Sequence, residues 1–161
     1  MPHRARLITT TLAFVAVTVI AAESADDLKL PTGYRTWFHV NTMVIDKASP
    51  LFEGLGGMHN VYANASAAAA LKKGGPYPNG SQFVTDLHDF TITEGSYVEG
   101  ARKGVATMIK DSKRYASTGG WGFQFWAEGD AKKPQVTDSA KQWRAIPVRL
   151  VRRGRTALRN D

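Results

Sequence analysis

Between residues 34 and 126 the chain holds several short runs rich in aromatic and β-branched residues, most of them set off by glycine-containing turns, without an internal repeat. Such runs pack well on a pleated, half-buried surface, and tight turns between them favour antiparallel pairing. Residues 34–45 (YRTWFHVNTMVI) read as one long strand, closed by Gly54, Gly56 and Gly57, and residues 58–63 as a second. Asn64 or Ser66 is placed to cap a helix over 67–73, where alanine and lysine have high helix propensity. Residues 74–80 (GGPYPNG) form a turn cluster. Segments 81–90, 91–99, 104–110 and 119–126 read as further strands, the last alternating aromatic with small or polar residues. Thr137 or Asp138 then opens a short helical turn over 139–142. Strands outnumber helices, so the expected class is α+β, mainly an antiparallel β-sheet with a few short helices.

The two ends differ from this middle. Arg4 and Arg6 precede an apolar run from Leu7 to Ile20, followed by the small residues Ala21, Ala22, Ser24 and Ala25. That order is expected of a secretory signal peptide over residues 1–25, with a run too short to span a bilayer comfortably. It implies a periplasmic or secreted domain with no stable membrane insertion after cleavage. A seam falls at Gln142–Trp143, and residues 143–161 hold six arginines, no lysine and one acid, without periodicity. The net charge of +7 comes largely from there. Of 21 basic and 14 acidic residues, residues 1–25 hold two and one, and residues 142–161 hold six and one. This leaves 13 and 12, or +1, for residues 26–141, so the domain is close to neutral and nucleic acid is not an expected partner. The expected organisation is a signal peptide (1–25), one domain (26–142) and an aberrant arginine-rich tail (143–161).

Five segments of the middle carry a resemblance. They are residues 34–45; Gly56-Gly57-Met58-His59-Asn60-Val61-Tyr62-Ala63-Asn64; Pro78-Asn79-Gly80; Val98-Glu99-Gly100-Ala101-Arg102-Lys103; and Lys110-Asp111-Ser112-Lys113-Arg114-Tyr115 through Gly119-Gly120-Trp121-Gly122-Phe123. In order and spacing they resemble the cytochrome P-460 family, over roughly residues 34 to 142. The resemblance implies a small periplasmic c-type haem protein, a homodimer on an antiparallel sheet, that oxidises hydroxylamine or nitric oxide. The similar cytochrome c′-β proteins bind nitric oxide. A c-type cytochrome is the implied electron acceptor.

In that family a Cys-x-x-Cys-His motif near the C-terminus supplies both thioethers and the proximal iron ligand. The matching place here holds Gln142-Trp143-Arg144-Ala145-Ile146, and the chain has no cysteine. A reading-frame change would account for this. Arg144-Ala145-Ile146 is encodable as CGN-GCN-ATH, which read from its third nucleotide admits Cys-His. The absence of any Cys-His codon pair in every frame after codon 142 would sink that idea. The alternative is a haem-free periplasmic module that binds a small ligand.

By resemblance, Lys73 is the candidate porphyrin cross-link and Glu99 the candidate distal proton relay, with Lys72 and Glu94 as neighbours of each. An acid with that role needs an aromatic enclosure that raises its pKa. His59, Trp121 and Phe123 are candidates for the cofactor pocket. The spacings of His39, His59 and His88 match no zinc or copper signature, so no metal site is expected.

Overall fold

The computed structural model describes residues 28–138. Five strands, β1 (Phe38–Ile45), β2 (Gly57–Ala63), β3 (Gln82–Thr93), β4 (Ser96–Lys110) and β5 (Trp121–Ala127), form one sheet in the order β1-β2-β3-β4-β5. Every neighbouring pair is antiparallel. Two short helices, α1 (Phe52–Leu55) and α2 (Ala65–Lys72), and 3-10 turns at Tyr34–Thr36 and Ala116–Thr118 complete the described chain. The class is the expected one, α+β and mainly β. The signal peptide, the turn at 139–142 and the tail at 143–161 lie outside the described residues.

Three expected elements are redrawn. Residues 34–36 do not continue β1. Gly33 takes a left-handed φ of 67° and starts a 3-10 turn that places Tyr34 against Val84 and Val105. Residues 91–99 are not a separate strand. Glu94 (φ 52°) and Gly95 (φ 76°) form the two-residue left-handed connection that matches strand twist, so β3 and β4 are the arms of one hairpin. Gly104 does not begin a strand but lies inside β4, where a Cβ would stand 2.2 Å from Cζ of Phe125. The α2 cap is Asn64: Oδ1 accepts from Ala67 N at 2.9 Å and Gln82 N at 3.1 Å, and Nδ2 donates to the Gly80 carbonyl at 2.9 Å. One side chain thus starts the helix and ties it to β3.

Directly paired residues share a face of the sheet. One face carries Tyr62, Val84, Asp86, Val105, Thr107, Gln124 and Trp126, as the register requires. Tyr34, Trp37 and Leu30 pack over part of it. The other face carries His59, Ala63, Phe83, Leu87, Met108, Phe123 and Trp121. Helix α2 presses Ala67 and Ala68 onto its Ala63 end. At the free edge of β5, Ala127 N donates to the Lys133 carbonyl (3.1 Å) and Gln135 N to the Phe125 carbonyl (2.8 Å). Fully buried Gln124 then fixes Val136 through both its backbone groups, at 2.8 and 2.9 Å. That covers an edge otherwise open to pairing with other chains.

Candidate functional site

Strand β3 places Asp86 and His88 two residues apart, and Asp86 is fully buried. A lone carboxylate there would be costly, so the chain brings cations to it. Arg35, from the 3-10 turn, sets Nε and Nη2 each 2.6 Å from Oδ2. Arg102, from β4, donates from Nε to Oδ1 at 2.9 Å. The Tyr34 hydroxyl interacts with the same carboxylate. Burial pushes the Asp86 carboxyl up, but the Arg35 hydrogen bond, the Arg102 charge and the Tyr34 hydroxyl outweigh it and hold it below the usual carboxylate range. Burial, then the Asp86 charge, raises the Tyr34 hydroxyl.

Glu99 joins the outer side of this cluster. Its Oε2 accepts from Asn60 Nδ2 at 2.7 Å, and its Oε1 lies 3.4 Å from His88 Nδ1 and 3.7 Å from Arg35 Nη2. Asn60 in turn accepts from the Thr42 hydroxyl at 2.8 Å. The aromatic enclosure expected for Glu99 is replaced by these polar partners, and its side chain is 39% exposed. The cause is parity: Asn60 pairs with Asp86 and faces the same way, so the carboxylate meets the polar face.

The other candidates sit elsewhere. Lys73 is the exposed C-cap of α2, beyond Lys72, whose Nζ lies 5.1 Å over the Phe38 ring. The fold does not bring Lys73 and Glu99 together. Trp121 and Phe123 project from the apolar face, and Trp121 meets Tyr77 and Phe83 at ring distances of 5.6 and 6.2 Å. His59 shares that face but aligns with the far end of β5, about six residues or roughly 20 Å of strand from Trp121. Its buried ring donates from Nε2 to the Leu55 carbonyl at 2.7 Å, since a carbonyl only accepts. Burial lowers its pKa, with the Lys103 charge adding to the effect and the Leu55 carbonyl opposing it.

Sequence reasoning missed the Asp86–Arg35–Arg102–His88 cluster. Its one signal was an acid and a histidine at core-facing parity in Val84-Thr85-Asp86-Leu87-His88. It also missed a cleft of about 480 Å³ lined by Phe52, Phe90, Ile92, Asp46, Asp89 and Lys103, which holds none of the sequence candidates.

The donor chemistry does not fit a haem attached through thioethers. No thiol exists to form a thioether. Both nitrogens of His88 are engaged within the cluster, and His59 Nε2 is committed to Leu55. Among the described residues no group of three or more His, Cys, Asp or Glu side chains could hold a metal ion.

Compared with known proteins, residues 31–144 match the family model for cytochrome P460. No curated protein matches the chain.

Proposed function

Because the chain belongs to the cytochrome P460 family, whose members are haem-binding cytochromes, we propose that it is an exported cytochrome P460-like domain without covalent haem attachment. The observation that carries this reading is the absence of cysteine beside an intact five-stranded sheet. The family chemistry, oxidation of hydroxylamine or nitric oxide or binding of nitric oxide, is therefore proposed for the lineage and not for this polypeptide as written. A shift of reading frame after codon 142 is the proposed origin of the loss. Export to the periplasm through residues 1–25, homodimer formation and a c-type cytochrome as electron acceptor belong to the same reading.

Within it, Glu99 is proposed as the distal carboxylate on the family resemblance alone, since its polar partners replace the aromatic enclosure that role calls for. It is partly exposed and is oriented by Asn60. Lys73, at the exposed end of α2, has no role without a porphyrin to meet. A second reading, a haem-free module for a small ligand, is favoured by the engaged histidines and by the separate cleft.

The test is a visible absorption spectrum of the protein purified from the periplasmic fraction, with and without added haem. The proposal expects no Soret band that survives acid–acetone extraction, and such a band would overturn it. A band that appears with added haem and is extracted supports a haem protein that binds without thioethers. No band after addition leaves the small-ligand module.

A further inference from the structure

We infer that His88 is a proton-operated switch that chooses between Asp86 and Arg35, and so sets how firmly the turn at Tyr34–Thr36 is held to the sheet. His88 Nδ1 lies 3.0 Å from the Gly100 carbonyl oxygen, which can only accept, so Nδ1 carries a hydrogen. The other nitrogen has two neighbours with opposite demands. Nε2 is 3.0 Å from Asp86 Oδ1, an acceptor, and 3.0 Å from Arg35 Nη2, a donor. A neutral ring accepts from Arg35 and turns its lone pair toward the Asp86 carboxylate. A protonated ring donates to Asp86 and turns N–H toward the Arg35 guanidinium. No protonation state satisfies both.

The backbone supports the placement. The β3–β4 register breaks on both sides of His88, between Leu87 and His88 and again between His88 and Phe90. Such bulges re-aim a side chain. Here they bring Nδ1 to the Gly100 carbonyl, where a Cβ on Gly100 would stand 3.2 Å from the Asp89 carbonyl oxygen. The ring is buried, its side chain only 7% exposed, so solvent does not blur the choice.

The charged and titratable groups around the ring come from three elements. Asp86 lies on its own strand, Glu99 and Arg102 on β4, and Tyr34 and Arg35 on the 3-10 turn. From β2, Met58 pairs with His88 and brings no charge. Protonation adds a third cation to Asp86, already bound by Arg35 and Arg102, and sets two positive groups together at Nε2. Arg35 loses an acceptor and gains a like-charged neighbour. Its turn, anchored otherwise by Tyr34 in the core and by the Trp37 N–H to the Tyr34 carbonyl (2.9 Å), loosens. This inference does not depend on haem.

The experiment follows the full chain by NMR from about pH 8 to about pH 5.5. Long-range nitrogen correlations report the His88 ring, the Arg35 Nε–H signal reports the guanidinium, and amide exchange at Trp37, corrected for intrinsic rate, reports the turn. The expected result is an Nδ1–H tautomer at high pH that becomes doubly protonated, with Arg35 Nε shifting at the same midpoint. Trp37 opening should rise about tenfold as His88 fills. His88→Gln, which cannot titrate, should abolish the Trp37 response, and Glu99→Gln should keep it. A ring that stays in one state, an Arg35 signal that ignores its titration, or a Trp37 response lost in Glu99→Gln would overturn the switch. The first two readouts need no variant, so a His88→Gln protein that fails to fold leaves the test decisive.

Discussion

The two faces of the sheet solve burial differently. The apolar face, with Phe83, Phe123 and the alanines of α2, is held by contact area and shape. The opposite face sets a buried carboxylate among two arginines, a histidine and a tyrosine beside Val84 and Val105. Packing on the first tolerates modest change in shape, because nearby apolar groups shift to fill space. The second requires a particular set of donors, because each lost partner leaves a charge unmatched. The two faces teach that demand for specific polar partners is concentrated on one side of the sheet.

Truncation is the harshest way to break that comparison. Phe123→Ala should cost about 4 kcal/mol in urea denaturation, by lost burial and a residual cavity, with no change in the shape of the pH profile. A pH profile altered by this substitution would couple the faces. Asp86→Ala should cost about 3 kcal/mol, the lower end of the range for a broken buried pair, because Arg35 and Arg102 can turn partly to water. It should also flatten the acid limb of stability, since Asp86 titrates lower when folded than when unfolded. Its contribution is complete above about pH 4 and is lost as pH falls through the folded value.

A smaller effect belongs to Asn64→Ala, which removes the α2 cap and its tie to β3 and should cost about 1 kcal/mol by thermal melting. The gentlest test is pH itself. Because burial lowers the His59 pKa, the unfolded chain takes up that proton first, so stability should decline as pH drops below about 6.5, before the Asp86 limb begins. His59→Gln should remove this early decline and leave the later one. A single decline in the parent, beginning only near pH 4, would show that His59 does not titrate differently on folding.

Much of the fold was legible because its signals are local. The turn at 74–80, the Asn64 cap and the aromatic alternation of β5 each lie within a few residues, and each is found close to its expected place. What failed also has a local cause. Residues 34–36 have strand-like composition, yet Gly33 and the burial of Tyr34 prevail over propensity. Residues 91–99 hide a turn because Glu94, not an asparagine or glycine, takes the first left-handed position. The site was less legible. Asp86 and Arg35 are 51 residues apart in sequence, and no spacing rule joins them. Family resemblance pointed to Glu99, which proves to border the cluster, and to Lys73, which does not.

The strand order gives the sheet a history as well as a shape. Each strand pairs with the one made just before it, so a growing chain can lay down the sheet hairpin by hairpin, without holding an unpaired strand for a distant partner. The last strand among the described residues ends at Ala127, and its outer edge is occupied by residues 133–135. By the time the ribosome reaches codon 143, the five strands of the described residues have been translated. A change beyond that codon therefore leaves the residues of all five described strands as they are, and its effect on the domain can only come through what residues 143–161 add to them.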